Sequence, residues 1–199
     1  MSRRGLLVAV EGIDGAGKTT LARGIVKRIQ DKGMLAHYTM EPTHNLIGEL
    51  IRSLTREYRD PRIEALLYAA DRLHHYLNEI KVKLDEGYIV VVDRYIYSSI
   101  AYQGALGAPI DWIRLLNRYV PKPHLAFYID IPINIALKRI KTSRSKPSFY
   151  EEPGILEKAR RIYLDLVSQG ELILLDGTKP PEIIINKALD IIENYLRRP

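Results

Sequence analysis

The sequence predicts an α/β protein built around a parallel sheet. Short, β-rich apolar runs recur between longer segments of helical pattern, the alternation that makes strand, crossover helix and parallel strand follow one another. Two of the runs, "YIVVV" (88–92) and "ELILL" (171–175), are almost uninterrupted hydrophobics, as in strands covered by helices on both faces. Gly33, Gly87 and Gly170 fall where helical patterns stop, the position at which a left-handed residue commonly ends a helix.

In chain order, "LLVAV" predicts a strand at 6–10, and the next helical pattern occupies 18–31 with Gly33 as its stop. A strand follows at 34–39, then helices at 45–56 and 61–86, the second stopped by Gly87. After the strand at 88–92, "SSIAYQG" (98–104) gathers hydroxyls, a phenol and an amide, which suit the polar edge of a ligand site better than a core helix. A helix at 110–119, a strand at 125–130 and a helix at 132–142 come next, then a helix at 153–169, a strand at 171–175 and a helix at 180–197. The apolar strands at 88–92 and 171–175 are expected in the middle of the sheet. One segment, "KRIKTSRSKPSFYEE" (138–152), stands apart from this pattern.

The chain has 199 residues, 46% of them apolar, enough for a core without disulfides or metals, so one domain spanning 1–199 is expected. Thirty Lys and Arg against 24 Asp and Glu give a charge of +6, which attracts any polyanion and names no single partner. Cysteine is absent, which excludes thiol redox catalysis, thiolate zinc sites and a disulfide framework. The histidines show no metal-ligand spacing, and adjacent His74 and His75 would point in different directions on a helix. The apolar runs are too short to cross a bilayer, and Arg3 and Arg4 lead into a strand without a cleavage region. A cytoplasmic protein with no membrane partner is expected.

The first strand runs into "AVEGIDGAGKTT" (9–20), in which Gly12, Gly17, Lys18 and Thr19 satisfy G-x-x-x-x-G-K-[ST] between a strand and a helix. Glycines let the backbone from Gly12 through Ile13, Asp14, Gly15, Ala16 and Gly17 wrap closely around an anion, with Lys18, Thr19 and Thr20 opening the helix. Successive N–H groups and the helix N-terminus then face the phosphates, Lys18 reaches the outer ones, and the Thr19 hydroxyl can ligate Mg²⁺. This predicts a nucleoside triphosphate site. It does not name an activity, because switches, motors and kinases share it.

The acceptor must be read elsewhere. Asp93-Arg94-Tyr95 follows the strand at 88–92, placing a carboxylate and a guanidinium at the ligand-binding edge of the sheet. Asp93 could hold Mg²⁺ through water and Arg94 could bridge donor and acceptor phosphates, or the two could form a strand-end ion pair. In "RIEALLYAADRLHHYL" Tyr68 and Arg72 are four residues apart and share a helix face. They could stack a base and bond its carbonyl edge, or simply pack.

Taken together, "EGIDGAGKTT", "EPT", "LLYAADR", "DRYIYSSIAYQG", "PKPHLAFYID" and "YEEPG" resemble the thymidylate kinases, in that order and across nearly the whole chain. The resemblance implies a P-loop kinase fold: a five-stranded parallel sheet with helices on both faces and a short mobile lid, here about 141–153. It implies ATP as donor, thymidine monophosphate as acceptor, Mg²⁺ and a homodimer. Residue by residue, it puts Lys18 and Thr19 on the donor phosphates and metal, Asp93 near the metal, Arg94 on the phosphates and Asp14 on the acceptor sugar hydroxyl. Tyr68 takes the place of the aromatic that stacks on thymine and Arg72 that of the arginine on its carbonyl. Ser99 and Gln103 match base-side contacts, Tyr102 a residue that disfavours a 2'-hydroxyl, Arg52 an acceptor-site arginine and Glu41 a loop carboxylate. The chain departs from many relatives at Met40, where they carry Arg, and at Ser148-Phe149-Tyr150-Glu151, where they read Asp-Arg-x-Glu.

Arg139, Arg144 and Lys146 are the basic residues of the expected lid, with Arg144 the candidate for the transferring phosphoryl group; such a segment could instead be a solvated basic loop. A monophosphate with a second pKa near ~6 is already ionised at neutral pH, so no general base is required. Two other activities fit parts of the sequence: a deoxynucleoside kinase with Glu41 as general base, and a nucleotide-dependent switch or DNA-binding ATPase. The second is opposed by cations spread along the chain and by the lack of a nucleic-acid module.

Overall fold

The structure, a computed structural model, describes residues 5–54, 60–143 and 149–197. Its elements run β1 (Leu6–Gly12), α1 (Lys18–Asp31), β2 (Ala36–Met40), α2 (Leu46–Ser53) and α3 (Pro61–His75), which continues through a π-helical turn (Tyr76–Ile80) into α4 (Lys81–Asp85). Then come β3 (Ile89–Asp93), α5 (Ile96–Ala105), α6 (Ile110–Leu116), β4 (Leu125–Asp130) and α7 (Ile133–Ser143), followed by a 3-10 turn (Phe149–Glu151), α8 (Pro153–Ser168), β5 (Ile173–Asp176) and α9 (Pro181–Leu196).

The five strands form one sheet in the order β2-β3-β1-β4-β5, and every pairing is parallel. The chain lays β2 and β3 to one side of β1 and then crosses to lay β4 and β5 on the other. The C-terminal end of β1 therefore lies at the point where strand order reverses, the place where open α/β sheets bind ligands. Gly12 and Asp93 end β1 and β3 there, two residues out of register, since Val10 pairs with Asp93.

Helices cover the sheet because its central strands are apolar throughout: Leu7 to Val10 and Val90 to Val92 have no exposed surface. Helix α1 lies on β1, β2 and β3 with α9 beside it, while α5 and α8 pack together against β1 and β4. Local chemistry sets the helix starts. Asn45 accepts from the backbone N–H groups of Ile47 and Gly48 at α2, and Asp60 accepts from Arg62 with Pro61 in the first turn of α3, as N-caps do. Among the described residues, no helix is long and apolar enough to cross a membrane.

Two expectations need correction. The strand at 171–175 is not central: β5 is the outer strand, with Leu174 43% exposed and Leu175 buried. Leu172 is buried just before the strand begins, so the apolar run came from one covered face plus a buried connection rather than two covered faces. The segment 98–104 does lie within a buried helix, α5, in which every residue from Ile96 to Gln103 is buried, while Ser98, Ser99, Tyr102 and Gln103 also line a cleft, the ligand edge expected of them. Its polar side chains bond to internal partners, with the Gln103 amide oxygen the exception.

Candidate active site

The loop from Gly12 to Gly17 turns from β1 into α1 by left-handed backbone at Gly15 (φ 79°) and Gly17 (φ 98°), conformations open to glycine at little cost. At Gly15 a Cβ would stand 2.6 Å from the Ala136 carbonyl of α7, so only glycine permits this approach. No side chain caps α1, and its positive N-terminal end faces the loop. Lys18 is buried, donates from Nζ to the Ile13 carbonyl at 2.9 Å and lies 3.9 Å from the Asp14 carboxylate. Desolvation, helped by the nearby Arg94 charge, lowers its pKa to about 8. Thr19 Oγ1 donates to Asp93 Oδ2 at 2.5 Å, joining the two residues expected at the metal.

Arg94 carries the one positive φ of a non-glycine residue among those described, 69°, a backbone strain that persists only where its surroundings enforce it. Here they do. Its N–H donates to the Val10 carbonyl at 3.0 Å, and the next N–H, of Tyr95, donates to the fully buried Glu11 carboxylate at 2.9 Å. Ser98 at 2.5 Å and Tyr163 at 3.1 Å supply Glu11 with two further hydroxyl donors. Burial raises the Glu11 pKa, and these hydrogen bonds oppose it. The guanidinium so presented pairs with Asp14 and lies over the Tyr102 ring, 5.3 Å from its centre. The Tyr102 hydroxyl accepts from the Asp14 backbone N–H at 2.9 Å.

A cleft of about 430 Å³, its open mouth included, lies beside this pair. The structure brings Asp14, Glu41, Tyr68, Arg72, Arg94, Ser99, Tyr102 and Gln103 to its wall, uniting residues from four separate parts of the chain. Arg72 is 1% exposed. Its Nε donates to Glu41 at 2.7 Å, Nη1 to Asn117 at 2.6 Å, and Nη2 to the Tyr95 carbonyl and Ser99 at 3.1 Å each. One Nη1 N–H remains for a ligand, from the five that a guanidinium carries. Glu41 also accepts from or faces His75 Nδ1 at 3.2 Å, so its carboxylate is enclosed by structural partners.

Arg52 does not reach this cleft. It donates to the Pro42 carbonyl at 2.9 Å and to Glu49 at 2.7 Å, fastening α2 to the loop after β2. Arg144 and Lys146 lie outside the described residues. Arg139 lines a second cleft, with Gly15, Gly17, Thr20, Lys179 and Pro181. Its guanidinium donates to the carbonyls of Gly15, Ala16 and Gly177 at 3.4, 3.4 and 3.1 Å, which holds it against the loop rather than beside Arg94.

Sequence reasoning gave no role to Glu11, Asn117 and Tyr150. Glu11 sits in the quoted loop motif as "VEGID", yet its partners lie at residues 95, 98 and 163, and no local signal joins them. Tyr150 lines the cleft and was visible in "YEEPG" and in the departure at Ser148-Phe149-Tyr150-Glu151, in neither case with a role.

A family model described as thymidylate kinase matches residues 10–188. The chain is 41% identical to a probable thymidylate kinase of Staphylothermus marinus, with 96% of each chain covered. It is 40% identical to a probable thymidylate kinase of Pyrobaculum calidifontis, over 96% of this chain and 97% of that protein. A thymidylate kinase of Xylella fastidiosa is 36% identical, over 97% of this chain and 89% of that protein.

Proposed function

The chain belongs to the thymidylate kinase family, and from that premise we propose that it transfers the γ-phosphoryl group of ATP to thymidine monophosphate, giving thymidine diphosphate for DNA precursor synthesis. The observation that carries this is the shared wall: Asp14 and Arg94 belong both to the surroundings of Lys18 and to the cleft of Tyr68, Arg72 and Gln103. Two phosphate-bearing ligands meet at that wall.

The donor triphosphate occupies Gly12 to Thr20, with its base toward the cleft of Arg139, Lys179 and Pro181. Mg²⁺ fits Thr19 and Asp93, which offer a hydroxyl and a carboxylate within 2.5 Å of each other, hard oxygen donors of the kind this ion takes. When bound, the ion neutralises phosphate charge. The acceptor monophosphate lies in the first cleft, its base on Tyr68 and Arg72, its sugar by Asp14 and Tyr102, and its phosphate at Arg94.

The chemistry is then charge neutralisation and alignment. Lys18 draws the outer donor phosphates inward. Arg94, exchanging its Asp14 partner for phosphate oxygens, holds the acceptor in line and stabilises the equatorial charge that develops on the transferring group. An ionised phosphate is its own nucleophile, and the engagement of Glu41 by Arg72 and His75 disfavours a hydroxyl acceptor that would need that carboxylate as base.

We assign the whole chain to one nucleoside monophosphate kinase domain with its lid at about 141–153, working as a homodimer in the cytoplasm. Ile63, Leu66 and Leu77, each about half exposed along α3 and the turn that follows it, repeat at helical spacing and supply an apolar face for a second copy. The function is tested by incubating the protein with ATP, Mg²⁺ and either thymidine or its monophosphate. Diphosphate formed from the monophosphate alone is expected; phosphorylation of thymidine alone, or ATP hydrolysis indifferent to both, overturns it.

A further inference from the structure

Gln103, on α5, is 2% exposed and lines the acceptor cleft. Its Nε2 donates to the Tyr150 hydroxyl at 3.1 Å. That hydroxyl in turn donates to Glu64 Oε2, on a carboxylate 1% exposed in α3. A phenol has a single proton. With that proton committed to Glu64, the Tyr150 oxygen can only accept from Gln103, so the amide must turn its NH₂ toward Tyr150 and its oxygen the other way. The amide oxygen, Oε1, is buried with no hydrogen-bond partner among the described residues, a costly condition that a native site relieves with a water or a ligand donor.

Resting on the assignment of this cleft to the acceptor nucleotide, we infer that Glu64 and Tyr150 are positioning residues for base choice: through the relay they hold Gln103 as an acceptor toward the pairing edge of the base. Thymine and uracil carry an N–H at ring nitrogen 3. Cytosine carries a lone pair there, which would meet Oε1 acceptor to acceptor and leave the amide oxygen unsatisfied. Freed from the Tyr150 hydroxyl, the amide can rotate and offer its NH₂ to cytosine instead. Discrimination at this edge is thus set by a residue on the turn 149–151 and a carboxylate on α3. The ring of Tyr150, edge-on to Tyr102 at 5.3 Å, is retained when only its hydroxyl is removed.

The test is equilibrium binding, by calorimetry, of thymidine monophosphate and 2'-deoxycytidine monophosphate to the intact protein. Tyr150→Phe should reduce the affinity ratio between the two by about tenfold, the size of a lost polar discrimination. Glu64→Gln, whose amide can reverse the relay by donating to Tyr150, should reduce it in the same direction. Gln103→Met should reduce it equally, and adding Tyr150→Phe to Gln103→Met should change it no further. An unchanged ratio in Tyr150→Phe, equal losses for both nucleotides, or a further fall in the double variant overturns the relay. Wild-type protein that binds thymidylate selectively while Tyr150→Phe keeps the ratio overturns the relay alone; wild-type protein that binds no thymidylate overturns the acceptor assignment with it.

Discussion

The buried carboxylate of Glu11 accepts the backbone N–H of Tyr95 at 2.9 Å, one residue beyond the strained backbone of Arg94. Glu11 is the next-to-last residue of the strand that feeds the phosphate loop, and Arg94 follows the neighbouring strand. The contact therefore ties the donor loop to the arginine assigned to both phosphates. Glu11→Gln keeps the volume but replaces one carboxylate oxygen by an NH₂ that cannot accept, so either the bond from Tyr95 or those from Ser98 and Tyr163 must be lost or reversed. We expect a loss of about 1–3 kcal/mol of stability, as for a buried polar group left unsatisfied, with a fall in kcat. Urea unfolding and steady-state turnover measure both, and a variant unchanged in each would remove Glu11 from this role.

Arg94 separates strain from chemistry. Arg94→Ala should lower kcat by about 10²-fold, as when a transition-state charge contact is lost. Arg94→Gly should be equally slow yet more stable than Arg94→Ala by about 1 kcal/mol, because glycine accepts φ 69° without a Cβ penalty. Thermal unfolding beside turnover gives the comparison. Near-normal rates in either variant would take Arg94 out of the reaction.

Lys18 predicts a pH effect with a definite sign. Its pKa in the ligand-free site is lowered to about 8, and bound phosphates favour its charged form, raising that value in the complex. Binding of ATP therefore takes up a proton as pH rises past about 8, and affinity weakens in that direction. Calorimetry in buffers of different ionisation enthalpy reads the uptake directly. Proton release on binding, or affinity that strengthens above this pH, would contradict the assignment.

Asn117 holds Arg72 from outside the cleft, through Oδ1 at 2.6 Å, while its own Nδ2 donates to the Ile113 carbonyl at 2.8 Å. Asn117→Ala should raise the KM for thymidylate by roughly tenfold through a misplaced, underbonded guanidinium, with the KM for ATP unchanged. Initial-rate kinetics with each substrate varied in turn distinguishes this from a general loss of fold, which would move both.

The parts of the site legible in the sequence were those whose chemistry is local. The phosphate loop needs glycine, lysine and threonine at fixed spacing beside a strand, and Asp93-Arg94 needs only the end of a strand. Tyr68 and Arg72 were readable as a shared helix face. Contacts made across the fold were not: Glu11 meets Tyr163 at a separation of 152 residues, and Glu64 meets Tyr150 across 86. At α5 the polar run was legible as a ligand edge, since Ser98, Ser99 and Gln103 line the cleft, but its burial was not, because their partners, Glu11, Arg72 and Tyr150, come from other elements. Composition misled at β5, because an apolar run does not reveal whether one face or two will be covered.

The central claim is that the loop of Gly12 to Thr19 and the cleft of Arg94 bring two phosphate groups into line. A crystal structure with a non-hydrolysable ATP analogue and thymidine monophosphate tests it most directly. The triphosphate is expected on the loop, with an acceptor phosphate oxygen about 3–3.5 Å from the γ-phosphorus and Arg94 bonded to both groups. Nucleotides lodged elsewhere, with the loop empty or the monophosphate away from Arg94, would contradict it.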